Sequence, residues 1–168
     1  MTELPPISAG FSADGYIVDQ DCFSSVRYRT MRGDYNSCGW IAAYNLRHFL
    51  GHPVVWEEVL HEMDGMHRLR LPGPTLMRVM RAYLGRYVPD CREADGREAA
   101  LKLAARSRAC IFRYQEERVP HFITCIRLED GRFRFFNVDD RISDEAEPLD
   151  RFAAEHFRHG CVIALAVL

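Results

Sequence analysis

Apolar residues occupy most positions between Cys38 and Leu50, instead of one face of a helix. A surface helix would show a single apolar stripe, so this pattern predicts a helix that is buried on all sides. Asn36 or Ser37 can cap its start, and Gly51 suits its end. The sequence therefore predicts a central, buried helix that follows a polar, turn-like segment.

Three more helices are predicted from apolar residues at helical spacing, and strands follow them. The helices cover residues 54–63, 75–85 and 95–107, with a loop at 64–73 and with Asp95 as the cap of the last. The strands cover 109–114, 121–128, 132–138 and 161–168, with a short helix at 149–157. Helices come first and strands second, which indicates an α+β fold and not alternating βαβ units. Residues 1–31 lack this regularity and are interpreted as an N-terminal arm, with one domain at 32–168.

A turn signal separates the second and third strands. Glu129-Asp130-Gly131 suits a three-residue hairpin loop with Gly131 in the left-handed position. In that register His121 faces Asp139, and Asn137 lies diagonal to His121 on the same face of the sheet. A two-residue Asp-Gly turn would instead move Asn137 to the opposite face.

Composition and charge restrict the class of protein. The 168 residues are 48% hydrophobic and 27% charged, which fits one globular domain. The formal net charge is -2 and the basic residues are dispersed, so nucleic acid is not an expected partner. No apolar run approaches the roughly 20 residues that span a bilayer, and the first residues lack a signal sequence. We expect a cytoplasmic protein; the pattern gives no indication of its oligomeric state.

Among the six cysteines, Cys38 has a distinctive position. No two cysteines are spaced as Cys-x-x-Cys, so neither a zinc site nor a cofactor is predicted. Cys110, Cys125 and Cys161 lie in apolar strands and are expected to be buried thiols. Cys38 instead begins the central helix, where backbone N–H groups and the helix dipole stabilise a thiolate. It is the candidate nucleophile, the alternative being one more buried thiol; Cys22 lies among acidic residues, which disfavour a thiolate.

His121 is the candidate base. It follows Pro120 at the start of a strand, where its side chain can approach the N-terminus of a helix packed on the sheet. A second polar group is needed to fix the imidazole tautomer and to stabilise the imidazolium. Asn137 is assigned this role, with Asp139 as the alternative.

Two segments together carry a resemblance to a known family. Asn36-Ser37-Cys38-Gly39-Trp40-Ile41-Ala42-Ala43-Tyr44-Asn45 resembles the nucleophile helix of bacterial papain-like cysteine peptidases. The group it resembles comprises the double-glycine leader peptidases attached to bacteriocin exporters and their free-standing relatives. His121-Phe122-Ile123-Thr124-Cys125 resembles their histidine strand, and Phe135-Phe136-Asn137 falls where they place Asp or Asn sixteen residues later. The likeness covers residues 32–168 and leaves the arm unexplained.

The resemblance implies a papain-like fold and acyl transfer through a thioester, without a cofactor. Cys38 would attack the carbonyl of a peptide or protein substrate. His121 would protonate the leaving amine and then activate water, with Asn137 orienting its ring.

The same resemblance implies a set of residues around the reacting carbonyl. The family usually has Gln six residues before the nucleophile, donating to the oxyanion, but this chain has Arg32 there. Asn36 is the alternative donor, because the longer, charged fork of arginine would not occupy the same place. Trp40 either lines the site or belongs to the core, and Asp139 completes the candidate set.

Two function classes remain open from the sequence. The first is a catalytic thiol hydrolase or acyl transferase, favoured by the complete Cys38, His121 and Asn137 set. The second is a lapsed peptidase-like module that binds a peptide or protein without cutting it, favoured by Arg32. Transglutaminase-like enzymes share the Cys…His…Asp order, but their tryptophan-rich histidine strand is not present. The spaced histidines, at 48 and 52 and at 61 and 67, are weak metal candidates because glycine or proline interrupts each helix there.

Overall fold

The computed structural model describes residues 5–68, 71–116, 119–138 and 145–168. The arm contains two short 3₁₀ helices, Ile7–Gly10 and Gln20–Phe23. The later elements are, in chain order, β1 Arg27–Tyr28, β2 Met31–Arg32, α1 Gly33–Asn36, α2 Cys38–Phe49, α3 Trp56–Gly65, α4 Met77–Tyr87, β3 Arg92–Asp95, α5 Arg97–Ala105, β4 Ala109–Glu116, β5 Val119–Arg127, β6 Phe133–Phe136, α6 Leu149–His156 and β7 His159–Val167. The predicted helices and strands after residue 37 all have a counterpart in this order.

The main sheet has five strands in the order β3-β7-β4-β5-β6, and every neighbouring pair is antiparallel. The β5–β6 hairpin has the register of the three-residue loop, since Thr124 faces Phe136 and the Leu128 N–H donates to the Arg132 carbonyl. Gly131 has a φ of 84°, the left-handed conformation that this loop requires. The predicted hairpin is confirmed.

Alternation along the strands divides the core into two clusters, one on each face of the sheet. On β5, Phe122 and Ile126 belong to the first cluster, with residues of α2, α3 and α4. Ile123 and Cys125 belong to the second, with residues of α5 and α6. The sheet is therefore covered by helices on both faces, which explains why its central strands are almost wholly apolar.

The arm packs against the first cluster. Ile17, Phe23 and Tyr28 have no exposed surface. The Asn45 side chain in α2 accepts from the Ile17 N–H and donates to the Ile17 carbonyl, both at 2.8 Å. A buried amide thus gives the backbone of the arm the two hydrogen bonds that a neighbouring strand would otherwise provide.

Three details differ from the sequence-based expectations. The exposed polar strand β3 was not predicted, because its residues lack an apolar alternation. Helix α5 begins after Gly96, with φ 92°, and no Asp95 side chain caps it. Cys161 is exposed, so its prediction as a buried thiol is wrong; it donates to Asp95 at 3.0 Å. None of the helices in the described part of the chain has the length and apolar character needed to cross a bilayer.

Candidate functional site

Cys38 is the first residue of α2, where the prediction placed it. The single turn α1 leads directly into this helix, because Ser37 has helical dihedrals and its N–H donates to the Gly33 carbonyl. The Ser37 hydroxyl does not cap α2 and has no hydrogen-bond partner among the described residues. Only 6% of Cys38 is exposed, so a ligand needs a local movement to make full contact with the sulfur.

The residue after the cysteine must be glycine, because the segment before α4 approaches it closely. A Cβ on Gly39 would lie 2.0 Å from Thr75 Oγ1. The same threonine hydroxyl is 3.0 Å from the Tyr28 hydroxyl. Burial is the main cause that raises the pKa of Tyr28. The hydrogen bond to Thr75 lowers this pKa, and negative charge on Asp64 or Cys38 raises it. Cys38 therefore has a neutral phenol as a neighbour at physiological pH.

His121 lies near the start of β5 and is 5% exposed. It faces Tyr114 on β4, and the two rings meet edge to face with centroids 5.7 Å apart. Since Tyr114 belongs to the second cluster, the imidazole lies on the face of the sheet opposite α2. The ring nitrogen Nε2 is 2.8 Å from the carbonyl oxygen of Asn137. Because a carbonyl only accepts, Nε2 donates in this hydrogen bond, and in the neutral ring the lone pair then belongs to Nδ1.

Asn137 interacts with His121 through its backbone, in contrast to the side-chain contact expected from the sequence. It follows the last residue of β6 with a φ of 61°. This left-handed conformation ends the strand alternation and turns the side chain away from the position that an extended strand would give it. The amide accepts from the Gln20 N–H at 3.0 Å and donates to Gln20 Oε1 at 3.2 Å.

The direction of α2 relative to the sheet can be derived from contacts along its length. Thr124 on β5 donates through Oγ1 to the carbonyl of Ala42 at 2.8 Å. Further along the helix, His48 contacts the Tyr16 ring, with centroids 4.7 Å apart. The guanidinium of Arg134 lies over that same ring, 5.5 Å from its centroid. Arg134 faces the β5 residue two positions after Thr124. The Tyr16 ring also stacks on Phe136, which faces Thr124, with centroids 4.2 Å apart. The direction of α2 is therefore given by Gln20, which binds Asn137 next to His121 and also binds the Asp34 carbonyl in the turn before Cys38.

Cys38 and His121 consequently lie at the same end of the sheet. Cys38 precedes Ala42 by four residues, about one helical turn, and His121 precedes Thr124 by three. They approach that end from opposite faces, so the imidazole must reach past the end of β5 to meet the sulfur. The thiol and His121 form no hydrogen bond with each other in the described structure.

The two side chains predicted to bind the oxyanion both have other partners. Arg32 is half exposed and donates from Nε and Nη2 to the Asp34 carboxylate, at 3.1 and 2.6 Å. Asn36 is buried, and its Nδ2 donates to the Gly73 carbonyl at 2.7 Å and to the Tyr28 carbonyl at 3.3 Å. Asn36 therefore connects the residues before Cys38 to the loop before α4.

Trp40, the next predicted site residue, does not lie at this point. Trp40 has no exposed surface and packs against Phe23 and Trp56, with centroids 5.2 and 5.8 Å away. It supports α2 from within the core and does not reach the surface around Cys38. Asp139 lies outside the described residues. No group of three or more His, Cys, Asp or Glu side chains suited to a metal is found in the described ranges.

Gln20 is a site residue that the sequence analysis did not select. Besides its bonds to Asn137, its Nε2 donates to the carbonyl of Asp34 at 2.8 Å. Asp34 lies in the turn immediately before Cys38, so one arm side chain joins the cysteine side to the histidine side. The only available sequence signal was a glutamine beside Asp19 and Asp21 in a region without periodicity.

Four of the other five thiols are poor nucleophiles at neutral pH. Burial, followed by the charge of Asp19 and a hydrogen bond to it, raises the pKa of Cys22 to about 11. Burial also raises the pKa of Cys91 to about 11, and that of Cys110 well above its usual value. The hydrogen bond to Asp95 raises the pKa of Cys161. These thiols serve as internal references for the reactivity of Cys38.

A solved structure supports the fold. The peptidase domain of Streptococcus ComA, a bi-functional ABC transporter involved in a quorum-sensing pathway, superposes with a TM-score of 0.50 at 10% sequence identity. The match covers 78% of this chain and 91% of that chain. The chain has an α+β, papain-like peptidase fold. At this identity the likeness shows the fold alone. No family model and no curated protein matches the sequence.

Proposed function

We propose that the protein is a cysteine-dependent peptidase or amide hydrolase with Cys38 as nucleophile and His121 as base. One observation carries the proposal: the cysteine at the start of α2 and the carbonyl-bound histidine of β5 lie at the same end of a papain-like fold. Fold likeness alone would leave the chemistry open, because many functions share a fold.

In the proposed reaction, the Cys38 thiolate attacks the substrate carbonyl and forms a tetrahedral intermediate. The His121 imidazolium then protonates the leaving amine, and the C–N bond breaks to give a thioester. Neutral His121 next takes a proton from water, which attacks the thioester and releases the acid. The Asn137 carbonyl stabilises the imidazolium by accepting from Nε2 throughout.

The oxyanion would be bound chiefly by backbone. The first N–H groups of α2 have no acceptor within the helix and carry the positive end of its dipole. Arg32 and Asn36 have the partners described above, so a side-chain donor from either requires a rearrangement. Losing one such donor costs roughly a hundred- to a thousandfold in turnover in other enzymes, so slow catalysis is expected.

A second candidate, a peptide-binding module without catalysis, is favoured by the opposite-face placement of His121 and by the low exposure of Cys38. Three of the large exposed apolar residues lie on segments next to the site: Tyr35 at 72%, Leu71 at 58% and Val119 at 61%. A partner that binds at this site would cover exposed apolar side chains on such segments. A peptide with apolar side chains would suit these residues in either candidate function.

The test is iodoacetamide labelling of the native protein between pH 6 and 9, with the modified cysteine mapped by mass spectrometry. We expect Cys38 to be labelled fastest at pH 6.5, at least tenfold faster than the more exposed Cys161, because a paired thiolate reacts and a thiol does not. His121→Ala should remove this advantage. Cys38→Ser is the matched variant and should leave the slow labelling of Cys161 unchanged.

Two outcomes separate the candidates. Equal, slow labelling of Cys38 and Cys161, unaffected by His121→Ala, would contradict the enzyme proposal and favour the binding module. Fast labelling of Cys38 that persists in His121→Ala would contradict the assignment of His121 as base.

A further inference from the structure

The hydrogen bond to His121 depends on an unusual backbone conformation. The Asn137 carbonyl reaches Nε2 only because Asn137 has a φ of 61° instead of continuing β6. A non-glycine residue in this region is strained, and it persists where its surroundings supply compensating interactions. Asparagine tolerates this conformation better than other residues with a Cβ, but an external interaction is still needed to select it.

Gln20 supplies that interaction. Its backbone N–H and its Oε1 bind both ends of the Asn137 amide, at 3.0 and 3.2 Å, and form a closed pair. Its remaining side-chain group, Nε2, donates to the Asp34 carbonyl at 2.8 Å. Gln20 is itself fixed at the start of a 3₁₀ helix, which Asp19 caps by accepting from the Asp21 N–H.

We infer that Gln20 is a positioning residue, which holds Asn137 so that its carbonyl fixes His121 as the Nε2–H tautomer. The inference rests on the proposed function, in which His121 is the base. It assigns a role to the N-terminal arm, which the family resemblance leaves unexplained. The Asn137 side chain then acts on His121 indirectly, through the position of its own carbonyl.

The tautomer provides a spectroscopic test that needs no activity. In a Cys38→Ala background no thiolate is present, and long-range ¹H–¹⁵N spectra recorded above the pH at which the His121 signals stop shifting distinguish its two imidazole nitrogens. We expect the His121 signals, assigned by their loss in His121→Ala, to show the Nε2–H tautomer. Gln20→Met, similar in size and without polar groups, should shift these signals toward a mixture of tautomers. The Nδ1–H tautomer, or unchanged signals in Gln20→Met, would overturn the inference.

Alkylation of otherwise unmodified protein gives a second measurement. Gln20→Met should slow iodoacetamide labelling of Cys38 about tenfold at pH 7. Asn137→Ala breaks the same pair from the other side and should have a similar effect. Because both variants remove the same Gln20–Asn137 interaction, labelling of Cys38 in the double variant should also be about tenfold slower than in wild type, and not a hundredfold slower. A fully multiplicative loss would contradict a shared mechanism.

Two controls separate a positioning role from general damage. Gln115→Met changes the only other glutamine in the chain and should leave Cys38 labelling unchanged. Labelling of Cys110 and Cys125, which have no exposed surface, reports unfolding directly. Failure of the proposed function would show as His121-independent labelling of Cys38. Failure of this inference alone would show as His121-dependent labelling that Gln20→Met does not alter in a folded protein.

Discussion

The N-terminal arm and the five-stranded sheet are stabilised in different ways. In the sheet, backbone pairs with backbone over long ladders, and β4 contacts both β5 and β7 in this manner. In the described part of the arm, regular pairing is limited to the short β1–β2 ladder and one isolated bridge between Phe11 and Ile17, and side chains of the domain bind arm backbone elsewhere. Asn45 binds Ile17, the Tyr44 hydroxyl donates to the Gly15 carbonyl at 3.0 Å, and His48 Nε2 is 2.7 Å from the Asp14 carbonyl.

This difference has a consequence for stability. In a ladder, backbone binds backbone, so removing one side chain leaves the hydrogen bonds between the strands in place. An arm held by individual side chains loses backbone partners when a single side chain is truncated, and unpaired buried backbone groups are costly. We therefore expect variants in the sheet region to unfold the molecule as a whole, and variants of the arm anchors to release the arm locally.

The largest effect is expected from Phe152→Ala in α6. Phe152 has no exposed surface and stacks on Phe135, with centroids 3.8 Å apart. Removing a buried phenylalanine ring costs about 4 kcal/mol through lost burial and an unfilled cavity. Urea unfolding followed by circular dichroism should show this loss with an unchanged denaturant slope, as expected for a single cooperative transition.

The matched control for Phe152→Ala lies in the arm. Phe11 is only partly buried, and its ring contacts Phe23 and Tyr44 at centroid distances of 6.0 and 6.2 Å. Phe11→Ala should cost less than half as much, because less surface is lost and the arm can collapse around the gap. Equal costs for the two variants would contradict the distinction between the regions.

The next largest effect is expected from Asn45→Ala. This substitution leaves the buried N–H and carbonyl of Ile17 without their partners, which we expect to cost about 3 kcal/mol. Limited proteolysis should show new cleavage within residues 5–30, since the arm is released while the sheet persists. Thr124→Val is the comparison, because it removes one side-chain bond to a helix carbonyl and should cost about 1 kcal/mol. A cost for Asn45→Ala no larger than for Thr124→Val would show that the arm does not depend on this anchor.

The sequence predicted the ladder region well and the arm poorly, for the same physical reason. Periodicity reports which face of a regular element is buried, and the hairpin loop reports register; both are local properties of the chain. Strand β3 was not predicted because its exposed side chains show no alternation of apolar and polar residues. The arm is determined by bonds between residues far apart, such as Gln20 and Asn137, 117 positions away from each other. No local pattern encodes such a pair.

The same distinction applies to the candidate site, where local patterns predicted some features and packing between distant residues determined the others. The prediction that Cys38 and His121 lie at one end of the sheet depended only on where the helix and the strand begin. The partners of Arg32 and Asn36 are set by details of packing that no pattern shows. The role of Asn137 changed because one left-handed residue ended the alternation that the prediction extended along β6.

The smallest effect is expected from the ion pair between the arm and the sheet. Arg134 Nη1 lies 2.7 Å from Asp14 Oδ2, and its hydrogen bond is the main cause that lowers the pKa of Asp14 to about 2. Unfolded Asp has a pKa of about 3.9, so the folded state binds this proton less readily and is stabilised above that pH. The stabilisation is lost as the pH falls from about 4 to about 2.

The variant Asp14→Asn tests the direction of this pH dependence of stability. Half of the Asp14 side chain is exposed, so the wild-type advantage at pH 6 should be under about 1 kcal/mol after solvent screening. The difference in free energy of unfolding between wild type and Asp14→Asn should shrink toward zero by pH 2. A difference that grows as the pH falls would contradict the lowered pKa. If stability has this pH dependence, acid weakens the ion pair between arm and sheet and leaves the backbone ladders intact. Cleavage of the arm by pepsin, which is active in acid, should then begin before the sheet unfolds.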